Sequence, residues 1–246
     1  MSTAIAAYRF ATWVLEHLPA KVALAVRVTA NRRRLFGLGA PASRLVELVP
    51  PGKVAVDAGA NFGVYCYYIA QAASEVHAFE PQQHHVRRLR RCMPGNVVVH
   101  AEALSDREGV AELHVPTRDG EASLRDLGAG STTIQVPLRT LDSYGLSDVG
   151  FVKIDVEGHE ENLLIGGIET LRRSNATVFI EIEERHNPGG IARIVKWFDA
   201  IGYTDVHYVH EGRLHPFEDF DVARDQAVVV GSGRYINNFV FRRPRG

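Results

Sequence analysis

Val54-Ala55-Val56-Asp57-Ala58-Gly59-Ala60-Asn61-Phe62-Gly63 joins an apolar, β-branched run to a carboxylate and then to a glycine-spaced turn. Behind the turn, residues 62–73 read as a helix. This is the layout of a nucleotide loop at the carboxyl end of a parallel strand, where open α/β sheets place their ligands. Gly59 and Gly63 lack a Cβ, so they permit positive φ and close approach of the main chain to a ligand. Asn61 could cap the helix or hydrogen-bond a ligand carboxylate. An ordinary strand–turn–helix junction has the same outline, so the loop alone does not name its ligand.

Two neighbouring features narrow the choice. A pyrophosphate needs a helix N-terminus clear of negative charge, and Asp57 sits at that point in the sequence. A ligand with an ammonium group and no phosphate suits it better, and S-adenosylmethionine (SAM) is the common cofactor of that kind. A second apolar run, Val76-His77-Ala78-Phe79, ends at Glu80-Pro81. Glu80 follows the glycine turn by roughly 20 residues, the spacing at which an acid accepts two ribose hydroxyls. Pro81 suits the entrance to a helix over 82–93. After a third run, residues 97–101, Glu102 or a backbone group beside Ala103 could bind the adenine amine. An exposed loop glutamate would look the same. Phe62 or Tyr65 could face a sulfonium through an aromatic ring.

A second cluster, Phe151-Val152-Lys153-Ile154-Asp155-Val156-Glu157-Gly158-His159-Glu160, again delivers carboxylates to the end of an apolar strand. Methyl transfer to oxygen requires the acceptor hydroxyl to lose its proton, with help from a base or a divalent metal. Asp155 and Glu157 are candidates for ordering acceptor or cofactor, and His159 is the candidate base. Glu157 and Glu160 also fit solvated acids in a helical first turn. In Val178-Phe179-Ile180-Glu181-Ile182-Glu183-Glu184-Arg185-His186, Glu181 and Glu183 share one strand face. Glu181 could orient a histidine base, His159 or His186, or bind a hard ion such as Mg²⁺ together with Asp155. The motifs themselves demand no metal.

The combination of Asp57–Gly63, Phe79-Glu80-Pro81 and Asp155–Glu160 resembles the FkbM family of SAM-dependent methyltransferases, over about residues 50–210. The resemblance implies a class I methyltransferase fold and O-methylation of a sugar or a polyketide-type hydroxyl. It implies a cofactor site at Asp57, Gly59, Asn61, Gly63 and Glu80, and a catalytic region at Asp155, Glu157 and His159. The acceptor does not transfer with those motifs.

Strand and helix alternate from Lys53 onward, the pattern of a doubly wound, mostly parallel α/β sheet. The strands read as 53–57, 76–80, 97–101, 150–155, 177–182, 204–210 and an antiparallel 237–243 after a loop over 217–232. Further helices fall at 159–173 and 190–201. Between Glu102 and Asp148, Val110–Val115 and Thr133–Leu138 alternate like a β-hairpin insertion. Gly128-Ala129-Gly130-Ser131 links them, as an acceptor lid or a surface loop. Residues 50–246 read as the methyltransferase domain and 1–49 as an N-terminal helical cap.

The 246 residues carry a net charge of −1, which gives no overall pull toward nucleic acid. Cys66 and Cys92 are the only cysteines, each in an expected helix. They read as reduced core residues of a cytoplasmic protein. Arg9, Lys21, Arg27, Arg32, Arg33, Arg34 and Arg44 stand against Glu16 alone before residue 45. That basic segment could pack on the core, touch an anionic membrane surface, grip an acceptor or pair with a second copy. The expected partner is a small-molecule or oligosaccharide acceptor. A nicotinamide-dependent oxidoreductase is the enzyme alternative, disfavoured by Asp57 and by Asn61 in place of a tight-turn glycine. A membrane-associated scaffold without activity is the alternative of another class.

Overall fold

The computed structural model describes residues 18–34, 45–116, 122–125, 131–226 and 235–244. In chain order the strands are β1 Val54–Ala58, β2 Glu75–Phe79, β3 Val97–His100, β4 Ala103–Leu104, β5 Gly109–Pro116, β6 Ser131–Arg139, β7 Val149–Ile154, β8 Thr177–Glu181, β9 Asp205–His210, β10 Arg213–Pro216 and β11 Asn238–Arg242. The helices are α1 Ala20–Arg34, α2 Val64–Ile69, α3 Gln83–Cys92, α4 Glu160–Gly166, α5 Ile168–Arg173, α6 Gly190–Ala200 and α7 Val222–Asp225.

The main sheet runs β10-β9-β11-β8-β7-β1-β2-β3. The pairs β1–β2, β2–β3, β1–β7 and β7–β8 are parallel, while β11 lies antiparallel between β8 and β9. From β1 the chain winds outward to β2 and β3, then returns at β7 on the other side. The carboxyl ends of β1 and β7 therefore flank the crevice where such sheets bind ligands. Alternate residues feed two cores. Val56, Val152, Ile154 and Ile180 meet Leu163, Leu164 and Phe198 on one face. Ala55, Phe151, Phe179 and Val240 meet Cys66, Ile69 and Leu89 on the other. Being covered on both faces explains why these strands are apolar throughout. Cys66 and Cys92 are both buried and unbridged.

Three local features depart from the sequence reading. The helix expected from residue 62 starts only at Val64, because Asn61 (φ 47°) and Gly63 (φ 82°) are left-handed. The helix expected over 159–173 breaks at Gly167 into α4 and α5. The additional strand β10 forms a hairpin with β9 across Glu211 (φ 49°) and Gly212 (φ 74°), the positive-φ pair that a two-residue turn requires. The insertion is a small sheet of order β4-β6-β5. Its expected Gly128–Gly130 link lies outside the described residues, as do 1–17, 35–44 and most of the loop after α7. Within α1, Ala23 and Leu24 are buried and Val28 packs against Val64 and Tyr68. Among the described residues no helix is long and apolar enough to cross a membrane.

The interior also holds a charge. Lys153 lies within β7, 1% exposed, in register opposite Asp57 on β1. Its Nζ is 3.2 Å from Asp57 Oδ1 and 3.1 Å from Asp155 Oδ2. It donates a hydrogen bond to the Gly59 carbonyl at 2.8 Å. Burial pushes the ammonium pKa down, but the carboxylates of Asp155 and Asp57 outweigh it and hold Lys153 above the usual lysine range. It is therefore charged, and it pins the glycine loop to β7. Removing one partner of a buried pair leaves an uncompensated charge. Lys153→Met should lower unfolding stability by about 3–5 kcal/mol in urea titrations. Asp57→Asn in the same chain should recover much of that loss. No loss in the single variant would mean that the pair does not hold the sheet.

Candidate active site

A cleft opens at the carboxyl ends of β1, β2 and β7. Its floor is Ala58, Gly59 and Asn61, and one end is Glu80, Pro81 and Gln82. Glu80 is 3% exposed and both of its oxygens are engaged. The Asn61 N–H donates to Oε2 at 2.9 Å and the Gln82 N–H to Oε1 at 2.8 Å. Burial raises the Glu80 pKa against the pull of these two donors. A carboxylate offers about four lone-pair sites, so the pair of backbone donors leaves acceptor capacity for two hydroxyls. Asn61 adds a buried side-chain Oδ1 with no hydrogen-bond partner among the described residues. Gly59 is required by space, since a Cβ there would stand 1.8 Å from the Asp155 carbonyl oxygen.

Four residues expected at the cofactor do not line this cleft. Asp57 is fully buried beneath the loop and faces Lys153. Its charge is already compensated, so the expected attraction of an ammonium and repulsion of phosphate do not operate through it. Phe62 points to the opposite side, with the Arg27 guanidinium 3.6 Å above its ring and His85 at its edge. Gly63 serves packing: a Cβ there would lie 2.6 Å from both Leu89 and Met93 side chains. Tyr65 is likewise turned inward, with Lys153 Nζ 5.3 Å from its ring.

Glu102 and Ala103 do line the cleft, together with Phe79 and Leu104. Glu102 is not a free loop acid, because it accepts a hydrogen bond from the Tyr144 hydroxyl and lies 3.7 Å from Arg139. Phe79 and His100 stack on each other, and Tyr144 meets both rings edge-on. The insertion closes one wall with Leu113, Ala122 and Leu124.

Asp155, Val156, Glu157 and His159 form the remaining wall. His159 Nε2 is 2.9 Å from Ser105 Oγ, and the Ser105 hydroxyl donates to Asp106 Oδ1 at 2.9 Å. The serine has one proton, so the histidine must be the donor in the first contact, and its Nδ1 carries the lone pair. Burial lowers the His159 pKa to about 4, against the opposite pull of Asp106. Gly166 makes this contact feasible, because a Cβ there would meet the Ser105 carbonyl oxygen at 1.9 Å.

Glu181 and His186 stand apart from this wall. They line a second, smaller cavity with Glu183, Gly158 and Glu160, which Asp155 and Glu157 share with the cleft. Glu181 accepts from Asn237 Nδ2 at 2.6 Å, and His186 Nε2 lies 3.3 Å from Glu183 and 3.7 Å from Glu157. Glu160 is not solvated, as a first-turn acid would be, but 3% exposed. The residues missed in the sequence are Lys153, Ser105, Asp106, Tyr144 and Asn237. Only Lys153 carried a local signal, a lysine inside an uninterrupted apolar strand.

The sequence profile of the Methyltransferase FkbM domain matches residues 57–204. A 2-O-methyltransferase, NoeI, of Sinorhizobium fredii (strain NBRC 101917 / NGR234) is 27% identical over 151 residues, which are 52% of this chain and 62% of that relative. The chain thus spans less than two thirds of that protein. Among solved structures, Methyltransferase FkbM from Methylobacillus flagellatus KT is 14% identical with a TM-score of 0.48, over 88% of this chain and 59% of that one. A putative methyltransferase from Streptococcus mutans in complex with SAH is 11% identical with a TM-score of 0.43, over 82% and 93%.

The space at Gly59 provides a direct test of this geometry. Gly59→Ala adds a methyl group against Asp155 in a left-handed residue, costing about 1–3 kcal/mol by overpacking and ~1–2 kcal/mol by backbone strain. Thermal melting should show the loss, and an unshifted midpoint would contradict the close approach of β1 and β7.

Proposed function

The chain belongs to the methyltransferase FkbM family, and from that premise we propose a SAM-dependent O-methyltransferase acting on a hydroxyl of a sugar or oligosaccharide. The observation that carries the cofactor assignment is Glu80, held by two backbone N–H donors at the cleft with acceptor capacity to spare. The orphaned Asn61 Oδ1 supports it, because a buried acceptor without a donor calls for a ligand donor. Gly59, Asn61, Glu80 and Pro81 would hold the ribose and amino-acid parts, and Glu102 and Ala103 the adenine. When bound, SAM supplies an electrophilic methyl group on a sulfonium.

The chain's own part in the chemistry is positioning and proton removal. His159 is neutral at physiological pH, with Nε2–H committed to Ser105 and a lone pair on Nδ1 able to take the acceptor's hydroxyl proton. Ser105 and Asp106 set that tautomer. Asp155 and Glu157 accept hydrogen bonds from neighbouring acceptor hydroxyls, which favours a polyhydroxylated substrate. The likeness to a 2-O-methyltransferase supports oxygen as the atom methylated.

Two measurements separate cofactor binding from chemistry. Glu80→Gln should weaken adenosylhomocysteine binding in calorimetry by about 10- to 100-fold, the effect of about 1.5–3 kcal/mol for hydrogen bonds to a charged group. Unchanged affinity would remove Glu80 from the cofactor site. His159→Gln should lower turnover by about 10²–10⁴-fold with adenosylhomocysteine affinity retained. Full turnover in that variant would place the base elsewhere.

A further inference from the structure

We propose that the acidic cavity beside the cleft is a binding site for a hard divalent cation, Mg²⁺ or Mn²⁺, held by Asp155, Glu157 and Glu181. One carboxylate oxygen from each of the three lies within 4.8 Å of the others, the spacing of ligands around a single ion. The arrangement is built by the sheet. β7 and β8 are parallel, with Ile154 paired to Ile180, so Asp155 and Glu181 leave neighbouring strands side by side. Glu157 is brought round to meet them by consecutive left-handed residues, Glu157 at φ 45° and Gly158 at φ 83°.

The second observation is Glu160. It lines the same cavity, 3% exposed, with Oε1 bound to the Gly158 N–H at 2.7 Å and Oε2 without a hydrogen-bond partner among the described residues. A buried acceptor in that position calls for a cation or a donor held by one. The protein's own cations beside the cavity each engage specific partners. Lys153 faces Asp57 as well as Asp155, Arg185 pairs with Glu183, and Arg125 donates to the His186 carbonyl. Asn237 orients Glu181 by donating to its Oε1 at 2.6 Å. An all-carboxylate set selects a hard cation over zinc or copper.

Asp155 and Glu157 also border the cleft, so an ion there would present open positions toward an acceptor. Adjacent hydroxyls of a polyol could fill them. That role rests on the O-methyltransferase reading, whereas the cation site itself does not.

The test is titration of the chelator-treated full chain with Mn²⁺, followed by the electron paramagnetic resonance signal of the free ion. The expected result is saturable binding of about one ion per chain, reversed by excess Mg²⁺. Glu181→Gln and Glu160→Gln, each checked for folding by circular dichroism, should weaken it by about tenfold or more. No saturable binding by the wild-type chain, or equal binding by both variants, would overturn the site. Adenosylhomocysteine binding, measured on the same samples, keeps the two proposals apart. Cofactor binding without Mn²⁺ would sink the metal site alone, and Mn²⁺ binding without cofactor would sink the methyltransferase reading alone.

Discussion

A single buried ammonium ties the glycine loop to the strand that carries the second carboxylate cluster. Lys153 lies opposite Asp57 in the β1–β7 register and reaches Asp155 beyond the strand end. Placing a charge in a core is costly unless oppositely charged and dipolar partners surround it. Here two carboxylates and the Gly59 carbonyl do so, with the Ala58 carbonyl at 3.4 Å. The ends of β1 and β7 are consequently drawn together, close enough that Gly59 admits no side chain against Asp155. The crevice created by strand order becomes a cleft of defined width through this ion cluster.

On that platform, the turn Asp155-Val156-Glu157-Gly158 divides two environments. One side faces the cleft with Glu80 and His159, and the other faces the acidic cavity with Glu181 and His186. The turn holds a left-handed glutamate, a conformation that a non-glycine residue adopts at some cost and that concentrates at functional sites. The insertion steadies it from outside. Ser123 Oγ donates to the Glu157 carbonyl at 2.7 Å, and Arg125 donates to the His186 carbonyl. The small sheet is thus wall and brace together, beyond the apolar surface that Leu113 and Leu124 supply to the cleft.

His159 shows how burial and hydrogen bonding jointly set a protonation state. Desolvation disfavours the imidazolium, and the Ser105 hydroxyl, itself donating to Asp106, accepts a hydrogen bond from Nε2–H. Both effects act on a residue at the start of α4, where Gly166, two turns along the helix, lets the Ser105 backbone approach. Glu102, at the far end of the cleft, is similarly restrained by Tyr144 and Arg139.

Amino-acid order alone determined the parallel sheet, the antiparallel closing strand, the insertion hairpin and the family resemblance. These depend on apolar runs, turn residues and spacing, which are local properties of the chain. The place of Glu80 at the cleft was legible for the same reason, as an acid at a fixed distance from a glycine turn. The roles of Asp57, Phe62 and Gly63 were not. Each depends on which face of the loop meets Lys153, α1 or α3, and residues distant in sequence set that face. The break at Gly167, which packs against Leu141, and the burial of Glu160 in the acidic cavity likewise depend on neighbours distant in sequence. Tertiary structure alone decided that Asp57 supports the loop from beneath, and that Asp155 and Glu157 border two cavities. Charge compensation and close approach are properties of neighbours in space, and no spacing along the chain encodes them.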